Sequence, residues 1–260
     1  MTAKQMTGVA SRFKRQLLLK EVGGAGQQAI AKARVLIIGV GGLGCPVAQY
    51  LAAAGVGTIG LIDDDVVDES NLQRQILFDE ANVGQAKVDV AVNKLSKMFS
   101  QGTYVPIQSR LTKENAERYI SDYDFIADCC DNFATRYLLS DACYYARKPL
   151  ISAAAIGFNG QLTTLKPYLN NRDGEPFPTY HCLVPEQSDV DMENCETLGV
   201  LGPVTGILGS MQALEILKEI TGSGESLAGR LQIFDGLSGT MRSIKLPFDP
   251  ANPLTGTPSK

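Results

Sequence analysis

Histidine, paired cysteines and excess positive charge are all scarce in this chain of 260 residues. His181 is the single histidine, and it lies in an irregular stretch. A hydride-transfer enzyme that relays protons through an imidazole is therefore poorly served. None of the six cysteines (Cys45, Cys129, Cys130, Cys143, Cys182 and Cys195) forms a C-x-x-C pair. The N-terminus "MTAKQMTGVASRFKRQ" has basic residues but no apolar signal core. The expected location is therefore cytoplasmic, with the thiols mostly reduced. Basic side chains number 24 against 28 acidic ones, a net charge of −4. That balance argues against non-specific nucleic-acid binding, which needs clustered Lys and Arg. An anionic substrate would need a local basic pocket. There is no internal repeat.

One uncharged run, Val35 to Ile62, is long enough to span a bilayer. It holds seven glycines and Pro46, and it divides into two β-rich runs around an Ala-rich middle. A buried strand–helix–strand unit explains it better than a membrane span. Further strands are expected at "TYVPIQ" (at an edge, because of Pro106), "YDFIADC", "PLISAAA" and "GFNGQLTTLKP", with two final strands in "GRLQIFDGLSGTMRSIKL". Helical spacing marks "GQAKVDVAVNKLSKMFS", "TKENAERYI" with Thr112 as its cap, "NFATRYLLSDACYYARK" and "PVTGILGSMQALEILKEITG" with Pro203 at its start. Alternating strands and helices imply an α/β fold with a mostly parallel sheet. The stretch from Tyr168 to Gly199 has no clear periodicity, and loops that long are functional or disordered. The Pro-rich tail "PFDPANPLTGTPSK" is expected to be loosely ordered.

"VLIIGVGGLGCP" carries G-x-G-x-x-G as Gly39, Gly41 and Gly44, with Gly42 in addition. A glycine turn between strand and helix brings free N–H groups and a positive helix end to a phosphate. Asp63 ends the next strand, where a ribose-binding acid is expected. The motif alone does not separate NAD from ATP. The following "DDDVVDESNLQRQILF" offers Asp65, Asn71 and Arg74, and "GQAK" brings Lys87. Two cations near the phosphates suit a triphosphate attacked at its α-phosphorus, and hydride transfer has no need of them. The plainer alternative is that Arg74 and Lys87 are solvated surface charges. In "DCCDN", a carboxylate would hold Mg²⁺ between phosphates, or Asp131 or Asn132 would simply cap a helix.

Together "RQLLLKEVGGAGQQAIAKARVLIIGVGGLG", "SNLQRQILF", "VGQAKV", "DCCDN", "ATR" and "GVLGPVTGILGSMQALEILK" resemble the ubiquitin-activating-type adenylyltransferases of the ThiF/MoeB/HesA branch, most closely its thiamine arm. The resemblance runs from about Ser11 to Gly256 and favours ATP over NAD. It implies a single adenylation domain with a Rossmann-like, mostly parallel sheet covered by helices on both faces. Antiparallel strands and a long crossover loop complete it. Residues 11–155 would bind nucleotide, 156–248 would dock a carrier, and 249–260 would form a tail. Gly39, Gly41, Gly42 and Gly44 would line the ATP. Asp63 would hold the ribose, with Asp65 beside it. Asn71, Arg74 and Lys87 would contact the triphosphate, and Asp131 would bind Mg²⁺. Arg15 would reach into the partner subunit's site, which implies a homodimer.

The implied substrate is a ubiquitin-like sulfur-carrier protein ending in Gly-Gly. Its carboxylate would form an acyl-adenylate with release of pyrophosphate. Cys195 matches a thiol that joins the carrier in the thiamine branch, although Asp189, Asp191, Glu193 and Glu196 would raise its pKa. Many relatives bind zinc through two C-x-x-C pairs. Here Thr179, Cys182, Asn252 and Thr255 stand at those positions, so zinc is not expected. No rhodanese-like segment follows Gly256, so a separate persulfide donor is expected. The alternatives are adenylation of a peptide by a zinc-less relative, or a non-catalytic partner subunit.

Overall fold

The computed structural model describes residues 11–185 and 199–256. Two helices open the described chain: α1 (Lys14–Leu17) and α2 (Gly23–Lys32). Neither is signalled by the sequence, because glycines crowd the start of α2 and glycine is a poor helix former. The uncharged run then resolves into β1 (Arg34–Ile38), α3 (Gly44–Ala54) and β2 (Thr58–Ile62). No helix among the described residues is long and apolar enough to cross a membrane. The elements α4 (Lys87–Met98), β3 (Thr103–Ile107), α5 (Lys113–Ser121), β4 (Phe125–Asp128), α6 (Phe133–Tyr145) and β5 (Leu150–Ile156) complete the alternating part. At α5 the Asn115 side chain accepts from the Thr112 amide at 2.8 Å, which closes the cap. Then come β6 (Asn159–Leu165), α7 (Tyr180–Leu183), α8 (Gly202–Thr221), β7 (Arg230–Asp235) and β8 (Thr240–Lys245).

All eight strands form one sheet in the order β3-β2-β1-β4-β5-β6-β7-β8. The first five are parallel, and β6, β7 and β8 are antiparallel. β3 lies at the edge, as Pro106 requires. Side chains alternate across the sheet: Val35 and Ile37 of β1 enter one core with α3, α4 and α8, while Leu36 and Ile38 enter a second with α5 and α6. A parallel sheet covered on both faces follows from these runs. After β1 the chain moves outward to β2 and β3, then returns to the other side of β1 for β4. The strand order thus reverses between β1 and β4, which opens a crevice at their carboxyl ends.

The expectation of a loosely ordered tail is corrected, and the described part of the long aperiodic stretch takes a defined path. Residues 167–185 are built, with a bridge between Asn170 and Pro176 and the short α7. The tail is ordered as far as Gly256. Asn252, buried at 4% exposure, accepts from the amides of Leu254 and Thr255 and donates to the Asp249 carbonyl and Thr255 Oγ1. The Asp249 amide in turn donates to Cys182 Sγ at 3.4 Å, and Thr179 Oγ1 lies 3.5 Å from the same sulfur. Thr179, Cys182, Asn252 and Thr255 therefore meet in a hydrogen-bonded knot. One asparagine satisfies a whole turn of backbone, so proline content alone misjudges the segment.

Candidate functional site

The crevice at the strand reversal is a cleft of about 870 Å3. Its floor is the glycine turn after β1. Gly39 adopts φ +90°, and a Cβ there would lie 2.8 Å from the Cys129 carbonyl oxygen. Only glycine fits where the turn passes so close to the end of β4. Gly41 and Gly42 line the cleft, whereas Gly44 is buried at the start of α3 and does not. A Cβ on Gly44 would meet the Gly39 carbonyl oxygen at 2.0 Å, so this glycine permits the tight turn itself.

Asp63 follows β2 and lines the same cleft. Its carboxylate accepts from the Val40 amide at 2.7 Å and the Asp65 amide at 2.9 Å, which ties it to the glycine turn. Burial nevertheless holds its pKa above the usual carboxylate value. Asp65 reaches across to Lys87, with 2.8 Å between Oδ2 and Nζ. Lys87 opens α4 and is nearly buried, so it is no solvated surface charge. A cation at the positive end of a helix gains nothing from the helix dipole, so stability does not explain its place. Arg74 is half-buried, lines the cleft and donates from Nη1 to the Ser70 carbonyl at 3.1 Å. No acidic partner of Arg74 occurs among the described residues.

At the end of β4 the cap question resolves. Asn132 accepts from the Thr135 amide at 2.9 Å and caps α6. Asp131 is left exposed on the cleft wall, its Oδ1 accepting one contact of 3.3 Å from the Asn132 side-chain Nδ2.

The structure thus brings Gly39, Gly41, Gly42, Asp63, Asp65, Arg74, Lys87 and Asp131 to one cleft. Asn71 does not line it. Its carbonyl accepts from the amides of Arg74 and Gln75, so it shapes the turn that carries Arg74. Arg15 is exposed on α1 and does not line the cleft of its own chain. Cys195 lies outside the described residues.

Two lining residues were given no role in the sequence reading. Gln75 is buried under the glycine turn, and its Oε1 has no hydrogen-bond partner. Arg136 of the "ATR" motif sits behind the wall that bears Asp131. Their presence inside the two motifs "SNLQRQ" and "ATR" was the available signal.

The donor set fits a magnesium–nucleotide. The glycine turn leaves a cradle that a Cβ on Gly42 would crowd, coming within 3.1 Å of Thr205. One exposed carboxylate with two cations matches how Mg²⁺ and phosphates are held together.

The ThiF family profile matches residues 13–254, and this chain belongs to that family. It is 50% identical over 236 residues to "Adenylyltransferase and sulfurtransferase MOCS3" of Bos taurus, which covers 90% of this chain and 50% of that protein. The protein of the same name from Xenopus laevis is 48% identical over 236 residues, again 90% of this chain and 51% of the relative. The chain therefore spans about half the length of the curated relatives it matches. The similar relatives carry that name rather than one from the thiamine branch. Among solved structures, Escherichia coli MccB with ATP superposes with a TM-score of 0.77 at 24% identity, over 89% of this chain and 68% of that one. Likeness at that identity supports the fold alone.

Proposed function

We propose that this chain adenylates the C-terminal glycine of a ubiquitin-like sulfur-carrier protein. The carrying observation is the meeting, at the strand reversal, of a glycine cradle, the cations Arg74 and Lys87, and the exposed carboxylate of Asp131. ATP would lie with its phosphates over Gly41 and Gly42 and its ribose against Asp63 and Asp65. A carboxylate oxygen of the carrier attacks the α-phosphorus. The bond from that phosphorus to the bridging oxygen breaks, and pyrophosphate leaves with the electron pair. Arg74 and Lys87 offset the charge that builds on the departing phosphates, the kind of contact that lowers a barrier most. Mg²⁺ held by Asp131 would supply further charge neutralisation when bound.

Arg15 is exposed beside Leu18 and Leu19, themselves 68% and 52% exposed. An apolar, cationic surface of this kind suits a second subunit whose site Arg15 completes, hence a homodimer. Exposed Phe158, Met241, Ile244 and Leu237 on or beside the antiparallel strands suit carrier docking. Cys195 would take a sulfane sulfur from a separate persulfide donor, whose thiolate leaves, and the resulting persulfide would attack the carrier's acyl-adenylate, releasing AMP and forming an acyl disulfide. The pathway, thiamine or molybdopterin, follows the carrier. The relatives' names pair adenylyltransferase with sulfurtransferase, which suits a sulfur carrier of either pathway.

The test is the intact mass of a purified Gly-Gly carrier after incubation with this protein and magnesium–ATP. Addition of one AMP, trapped before hydrolysis, supports the reading. An unmodified carrier with an AMP-modified short peptide instead would move the substrate to the peptide class.

A further inference from the structure

The "ATR" arginine has no part in the scheme above, yet it is among the most elaborately bonded side chains of the molecule. β4 ends at Asp128, whose carboxylate is 1% exposed. It accepts from the Cys130 amide at 3.0 Å, from Arg136 Nη1 at 3.0 Å and from Ser152 Oγ at 2.6 Å. Arg136 Nη1 also lies 3.4 Å from Ser152 Oγ, and Nη2 donates to the Cys130 carbonyl. The Tyr180 phenol lies within electrostatic reach of the same guanidinium. From α8, Gln212 Nε2 donates to the carbonyls of Asp128 and Ile151, both at 2.8 Å. The turn from residue 128 to 132 is therefore held at its start, at its middle carbonyl and at its capped end. Asp131 is the exposed member of this turn, lining the cleft with a single long contact from Asn132 Nδ2.

A buried ion pair is weak evidence of stabilisation, since an apolar pair of similar volume often serves as well. What this pair does provide is direction. The planar fork of Arg136 ties the Asp128 carboxylate to the carbonyl of Cys130, the residue before Asp131. The fork is committed to Asp128, Ser152 and Cys130, so Arg136 is not a phosphate-binding cation in the manner of Arg74.

We propose that Arg136, oriented by Asp128 and Ser152, is a positioning residue that aims the Asp131 carboxylate into the cleft. The proposal rests on the role given to Asp131 above.

The test is calorimetry of ATP binding with Mg²⁺ and with EDTA. The quantity read is the ratio of the two affinities. Asp131→Asn should abolish most of the Mg²⁺-dependent gain. Ser152→Ala, which keeps both charges of the pair, should cut that gain by about threefold or more. It should leave the affinity in EDTA within about twofold and add nothing in the Asp131→Asn background, as expected for residues acting through one another. Arg136→Lys should behave as a stronger version, with its folding checked by thermal unfolding. A wild-type ratio in Ser152→Ala, a full additive loss in the double variant, or no Mg²⁺-dependent gain in the wild-type protein would overturn the proposal. Failure to adenylate any carrier while this pattern holds would overturn the adenylation reading and leave the positioning role standing.

Discussion

Lys87 Nζ stands 2.8 Å from Asp65 Oδ2, with the lysine side chain 5% exposed and the carboxylate 68% exposed. The cation is thus held at the cleft by a partner that water can solvate once the lysine turns to another anion. A triphosphate entering the cleft offers that anion. Lys87→Ala and Arg74→Ala should each slow adenylation by about 10² or more, the scale for losing one charge contact at the transition state. Single-turnover rates at saturating ATP check this. Near-wild-type rates in both variants would remove these cations from the mechanism.

The two glycines of the turn should fail differently. A Cβ on Gly44 would sit 2.0 Å from the Gly39 carbonyl oxygen, whereas one on Gly41 meets nothing closer than 3.7 Å, at Gln75 Nε2. Gly44→Ala should destabilise the fold by roughly 1–3 kcal/mol or more, the cost of overpacking. Gly41→Ala should unfold within a few degrees of wild type and yet bind ATP weakly, because the methyl group occupies the phosphate cradle. Thermal unfolding with and without ATP separates the two.

These contrasts show what could be read from residue order. The strand–glycine–helix unit, the parallel sheet, the Thr112 cap and the Pro106 edge follow from periodicity and local chemistry, which act over a few neighbours. The helix α2 did not, because packing overrides the poor propensity of Gly23, Gly24 and Gly26. The order of the tail was hidden in one asparagine whose partners lie in its own turn, a turn that the Asp249 amide ties to Cys182. In the site, residue type identified Arg74, Lys87 and Asp131 as candidates. It did not show that Lys87 is buried, that Asn132 rather than Asp131 takes the cap, or that Arg136 turns inward. Lys87 and Arg136 depend on distant neighbours, Asp65 for one and Asp128 and Ser152 for the other. The choice between two adjacent cap residues turns on backbone geometry that residue type does not show.

Burial holds the Asp63 carboxyl above the ordinary value of 3.8. A carboxyl whose pKa is higher in the folded state contributes stability that is complete below the unfolded value. That contribution is lost as pH rises through the folded value. In the unliganded protein at neutral pH, ionised Asp63 is therefore a cost. The unfolding temperature of Asp63→Asn relative to wild type should improve as pH is raised from about 4 to 7. The variant should at the same time lose the upward shift that ATP gives the wild-type protein. A temperature difference that stays flat or reverses with pH would contradict this account of Asp63.

ATP–pyrophosphate exchange bears most directly on the central claim, measured with a carrier ending in Gly-Gly and with the same carrier shortened by its last glycine. Adenylation at this cleft predicts exchange that requires the intact tail and Mg²⁺ and collapses in Arg74→Ala. ATP that binds but never exchanges with any Gly-Gly carrier, or exchange indifferent to the tail, would contradict it.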